Sequence, residues 1–82
     1  MRKLPSRRVA DALETALLAA HARRDLSALA ELYTQAADEK EAAQDIDAAC
    51  FYLTHAYVFA LDAGHPSAPA LRARLVAYGR ES

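Results

Sequence analysis

The sequence predicts an all-α fold of four antiparallel helices, set out as two helix-turn-helix hairpins. Three observations carry this. Apolar residues recur at i, i+3, i+4 and i+7 along most of the chain, the spacing of a buried helical stripe. Ala, Leu, Arg and Glu dominate, Gly occurs only 2 times, and β-branched residues are few, so the composition is one of strong helix formers. Breakers and capping residues then cut the periodic pattern into four pieces. At 82 residues the chain makes one domain, near the lower end of what folds alone. Its hydrophobic content is 54%, but much of that is alanine, which buries little area and permits close helix approach.

Taken in order, residues 1–5 form a basic arm and the first helix spans about 6–23, with Ser6 as N-cap and Val9, Leu13, Ala16, Leu17 and Ala20 as its stripe. Asp11 and Glu14 lie early in it and Arg23 and Arg24 at its end, as the helix dipole favours. Asp25 caps a second helix over about 25–43, whose stripe is Leu26, Leu29, Ala30, Tyr33, Ala36 and Ala37. So short a connection requires antiparallel neighbours. The stretch 38–44 holds neither Gly nor Pro, so a continuous second and third helix is the alternative to a break before Asp45 or Asp47. The third helix, about 46–63, ends at Gly64, and Ser67 caps a short fourth helix over 67–79 with Leu71, Leu75 and Tyr78 inward. Asp38-Glu39-Lys40-Glu41 reads as a solvated helix face.

The third helix is the unusual one. Four of the six aromatic residues lie between Ala48 and Ala63, where Asp62 is the single formal charge. Ile46, Ala49, Cys50, Leu53, Tyr57, Ala60 and Leu61 make one apolar side. The opposite side carries Phe51, His55, Phe59 and, at its edge, Tyr52, where a surface helix would carry charge. The run is too short, and too interrupted by His55 and Asp62, for a membrane span of roughly 20 apolar residues. A helix apolar nearly all round is central in a bundle or has a second partner.

Charge excludes some classes. The net charge is −1, with no bulk field for nucleic acid or membrane. Its layout is basic, acidic, basic: residues 1–24 carry six bases against two acids, and residues 25–62 carry eight acids against Lys40. One cysteine excludes an internal disulfide framework, and no signal-peptide core follows Met1, so a reducing, cytoplasmic setting is expected. The excess of Arg over Lys and the alanine bias fit a GC-rich bacterial genome.

The two hairpins share a side-chain order. Leu13, Ala16, Leu17 and Ala20 match Cys50, Leu53, Thr54 and Tyr57 in spacing, and Leu29, Tyr33 and Ala36 are echoed by Leu71, Leu75 and Tyr78. This order resembles the tetratricopeptide repeat: Cys50, Leu53, Thr54 and Tyr57 follow its first helix, with cysteine where an aromatic is usual, and Leu29 to Ala37 looks like its second. The family's proline is missing near Asp38, the second turn holds two prolines, and two repeats fall short of the ~3 a solenoid usually needs. The resemblance implies a groove lined by the first and third helices that binds a helix or peptide. Carried over, the groove positions are Asp11, Glu14, Leu18, His21 and Ala22, then Ala48, Phe51, His55, Val58 and Phe59.

No catalytic constellation accompanies this groove. Cys50 and His55 are five residues apart and point away from each other on a helix, so Cys50 reads as a core residue. His21, His55 and His65 lack metal-ligand spacing, and no cofactor motif is present. The expected function is therefore protein–protein interaction without catalysis, with Glu14, Leu18, His21, Phe51, His55, Val58 and Phe59 as partner-binding residues. Phe51, Val58 and Phe59 would anchor the partner, His55 and Glu14 would orient its polar groups, and the Arg7/Arg8 end would attract an acidic partner. Two alternatives stand beside it: a structural homodimer using the same aromatic face, and a small-ligand or metal-binding regulator using His21 and His55. Whether Phe51 and Phe59 are interface or core is left open by periodicity.

Overall fold

Four helices account for almost all of the described chain: α1 (Pro5–Arg23), α2 (Leu26–Ala42), α3 (Ile46–Ala63) and α4 (Ala68–Ala77). The computed structural model describes the backbone of residues 5–80 and the side chains from Ala12 to Arg80. The all-α class is thus observed. Pro5 belongs to α1 and not to an arm, because its fixed φ and missing N–H suit the first helical turn. Ser6, expected as the cap, lies inside that turn; residues 1–4 of the expected arm, and the side chains of Val9 and Asp11, lie outside what is described.

The helices end alike. Each is followed by a left-handed residue, at Arg24 (φ 55°), Gln44 (φ 63°), Gly64 (φ 64°) and Gly79 (φ 74°). At each the next amide reaches back into the last turn: Asp25 to Ala20, Asp45 to Lys40, His65 to Ala60 and Arg80 to Leu75, at 2.8–3.0 Å. Asp25 and Asp45 also cap the following helices, accepting from the Ala28 and Ala48 amides at 3.1 and 3.2 Å. The Asp25 carboxyl is held below its usual range by that amide bond first and by Arg23 second. Gln44 rules out a continuous second and third helix, since a left-handed residue cannot propagate an α-helix. Ser67 occupies the cap position of α4 but makes no side-chain cap bond. Its amide donates instead to His65 Nδ1 at 3.1 Å, so the ring's proton sits on Nε2, which donates to Glu31 at 3.0 Å.

Each helix packs against the next in sequence, and the α2–α3 interface is the most extensive. It joins the two predicted hairpins and is not internal to either. Alanine explains it: Ala30 and Ala37 of α2 and Ala49, Ala56 and Ala60 of α3 are fully buried, and side chains this small let two helices approach closely. Leu29, Leu53 and Leu71 fill the centre, with Cys50 and Leu75 beside them. The buried stripe of α3 runs through Ala49, Cys50, Leu53, Ala56 and Ala60. Leu61, expected in the core, lies one residue further round, is 55% exposed, and borders a hollow with Tyr57 and the start of α4.

Alternate helices also meet through side chains, His21 of α1 with Phe59 of α3 and Arg74 of α4 with Asp38 and Glu41 of α2. The helices therefore zigzag, and the shortest dimension, 14 Å, fits two helix layers about 10 Å apart. Tyr78 donates a hydrogen bond to Glu41, and Arg80 pairs with Asp47 at 2.8 Å, so the end of α4 is tied back to α2 and α3. Half of the acidic run expected to be solvated is a tether: Asp38 and Glu41 hold α4, whereas Glu39 and Lys40 face elsewhere.

Candidate functional site

The side of the zigzag where α1 and α3 flank α2 carries a ring cluster centred on Tyr33. Tyr33 lies near-parallel to Phe59 (centroids 5.7 Å, 9° between planes) and stacks more loosely on Tyr52 at 6.1 Å. His55 tilts against it at 5.2 Å, and the His21 ring meets it edge-on at 5.9 Å. The Tyr33 hydroxyl is hydrogen-bonded to His21 Nε2 at 2.9 Å, which gives the polar tip of a half-buried tyrosine its partner. Burial first, and Tyr52 second, push the Tyr33 phenol above its ordinary range. Phe51 meets Tyr52 in a T-shaped contact at 5.4 Å and tilts against His55 at 4.5 Å.

Helix geometry places these rings. Phe51, His55 and Phe59 follow at steps of four along α3, so they share one line on its surface. His55 is oriented by its own helix, its Nδ1–H donating to the Phe51 carbonyl at 2.9 Å. On α1, Glu14, Leu18 and His21 share a stripe for the same reason. Between the helices runs a cleft of about 390 Å³ with Leu13, Glu14 and Leu17 of α1 on one wall, Tyr33, Ala36, Glu39 and Lys40 of α2 along its floor and end, and Tyr52 of α3 opposite. A smaller hollow beside it is bounded by Thr54, His55, Val58 and Phe59.

The seven predicted residues divide into groups. His21, Phe51, His55 and Phe59 come together in the ring cluster. Val58 edges the hollow and is 48% exposed, while Glu14 lines the cleft. Leu18 is 65% exposed and lines neither. Phe51 and Phe59, which periodicity leaves alike, differ: Phe51 is 57% exposed and Phe59 half-buried. Periodicity presents Tyr33 only as a stripe residue of the second helix. The signal that could have singled it out is its hydroxyl, which at the edge of an apolar stripe calls for a polar partner.

Cys50 is buried and on the far side of α3 from the rings. His21 and His55 both border Tyr33, but each has one ring nitrogen engaged, and among the described residues no group of three or more His, Cys, Asp and Glu side chains could hold a metal ion. No helix among the described residues is long and apolar enough to cross a membrane. No protein-family model matches the chain, and no curated protein or solved structure matches it significantly.

Proposed function

We propose that this protein is a small interaction module that binds a helix or peptide in the groove between α1 and α3, over the Tyr33 ring cluster. The observation that carries the reading is the set of large apolar side chains left in solvent around that groove: Leu18, Phe51 and Val58. Such groups cost hydration free energy at about 25 cal/mol per Å² of apolar surface, and a partner that covers them recovers it. The tetratricopeptide-like order of side chains supports the same groove, because that family binds peptides on its first helices. The half-buried rings beneath supply a rigid floor, as aromatic-rich binding sites do.

The test is affinity capture with the wild-type chain and with a Phe51→Ser/Val58→Ser variant as paired baits. Both substituted positions are exposed, so the variant should keep its helicity by circular dichroism. A partner held by the wild type and lost from the variant is the expected result. Equal recovery on both baits refutes the groove.

The alanine-heavy core favours a second reading. Among the described residues, seven of the thirteen buried apolar ones are alanine, so association would add burial that the monomer lacks. In that case two copies meet on the same face about a two-fold axis. Light scattering coupled to size exclusion, over about a hundredfold range of concentration, distinguishes the two. A dimer that survives dilution, and that Phe51→Ser/Val58→Ser breaks, assigns the face to self-pairing.

A further inference from the structure

Resting on the interaction-module reading, we infer that the partner is a cationic amphipathic segment, with apolar residues over the Val58/Phe59 end of the groove and a Lys or Arg side chain in the cleft beside Glu14 and Glu39. The groove is polarised along its length. At one end stand Leu18, Val58 and Phe59, with His55 lining the same hollow and His21 against Phe59. At the other, Glu14 stands on the α1 wall and Glu39 at the α2 end of the cleft, beside Leu13, Leu17 and Ala36.

The ion pairs of the described residues lie outside this cleft wall. Among the described residues, Asp25 is matched by Arg23, Asp38 and Glu41 by Arg74, and Asp47 by Arg80, while Glu31 accepts a hydrogen bond from His65. Glu14 and Glu39, like Asp45 and Asp62, are absent from those pairs, and of these four only Glu14 and Glu39 line the cleft. Lys40 shares their rim, which leaves the described lining residues with one net negative charge. A long cationic side chain fits this arrangement in each of its parts. Its methylenes lie along the leucines and its head reaches the carboxylates. Glu14 and Leu18 are one helical turn apart, about 6 Å, so anchor and cation on a helical partner stand roughly one to two turns apart.

Selection from a phage library of random peptides against the intact chain tests this without presupposing a sequence. Enriched peptides should pair apolar residues with Lys or Arg at i+4 or i+7. Glu14→Gln with Glu39→Gln should weaken their binding about tenfold at low salt, with helicity and thermal midpoint unchanged, and raised salt should do the same to the wild type. Enriched peptides that lack a cation, or that bind the double variant equally, overturn the cationic partner and leave the groove reading standing. Failure to enrich any peptide, or enrichment indifferent to Phe51→Ser/Val58→Ser, overturns both. A concentration-dependent dimer that excludes the peptides makes a second copy the occupant and overturns the inference.

Discussion

The two phenylalanines of α3 should separate stability from binding. Phe59 stacks on Tyr33 at 5.7 Å, meets His21 edge-on at 5.8 Å, and is half-buried against the core. Truncating a fully buried phenylalanine costs about 3–5 kcal/mol. Half that burial, together with the missing ring packing on Tyr33 and His21, gives about 2 kcal/mol for Phe59→Ala. Phe51 is 57% exposed, and its ring neighbours are Tyr52 and His55. Phe51→Ala should therefore cost no more than about 0.5 kcal/mol. For a domain this small, 1 kcal/mol moves the thermal midpoint by about 4–8 °C. Thermal unfolding followed by circular dichroism should thus show a fall of about 8–16 °C for Phe59→Ala and one of about 4 °C or less for Phe51→Ala. Equal losses would mean that Phe51 is a core residue, and the reading of an exposed anchor on a supported floor would be wrong.

Three further outcomes follow from the backbone and the ion pairs. Gln44→Gly should raise stability by about 0.5–1 kcal/mol in denaturant unfolding, because Gln44 holds φ 63° and glycine adopts it without a side-chain penalty. Leu53→Ala, at a fully buried centre flanked by alanines that cannot refill the space, should cost about 3–5 kcal/mol and leave the chain largely unfolded at growth temperatures, read by the same titration. The Glu41 carboxyl is held below its ordinary range by the Tyr78 hydroxyl first and by Arg74 second. A carboxyl lowered on folding contributes stability that is complete above its unfolded pKa and is lost as pH falls through its folded value, so the fold should weaken on acidification below the ordinary carboxylate range, and Glu41→Gln should flatten that part of the pH–stability curve.

Much of the helix pattern is legible in the sequence because its signals are local. Asp25 announces itself as a cap, Asp45 as one of two candidates with Asp47, Gly64 as a terminator, and Leu29, Leu53, Leu71 and Leu75 fall on the inward phase of a 3.6-residue period. Less legible is whatever depends on which helix faces which. Leu61 has the right phase to within one residue, yet the stripe is set by the alanines that admit α2, and those carry a weak hydrophobic signal. The tether of Asp38 and Glu41 to α4 joins positions more than 30 residues apart, and no local pattern encodes it. In the candidate groove, the stripe on each helix is readable. The difference between Phe51 and Phe59 is not, because it depends on Tyr33 rising from a third helix.

The turns explain why that third helix matters. In a chain of two separate hairpins, the turn inside a hairpin should differ from the turn that joins hairpins. Here the turn after α1 and the turn after α2 are alike: a left-handed residue, then an aspartate that closes one helix with its amide and caps the next with its carboxylate. The turn after α3 keeps the left-handed residue but lacks the aspartate cap. The left-handed positions 24, 44 and 64 are also evenly spaced by 20 residues, so the repeating unit is one helix with its turn. Two like reversals in succession bring α1 and α3 to the same side of α2. A groove between them then follows from the turns, and its floor has to come from the helix in the middle. Tyr33 is that floor: its ring supports Phe59 and its hydroxyl holds His21, and it links the two walls of the groove with one side chain.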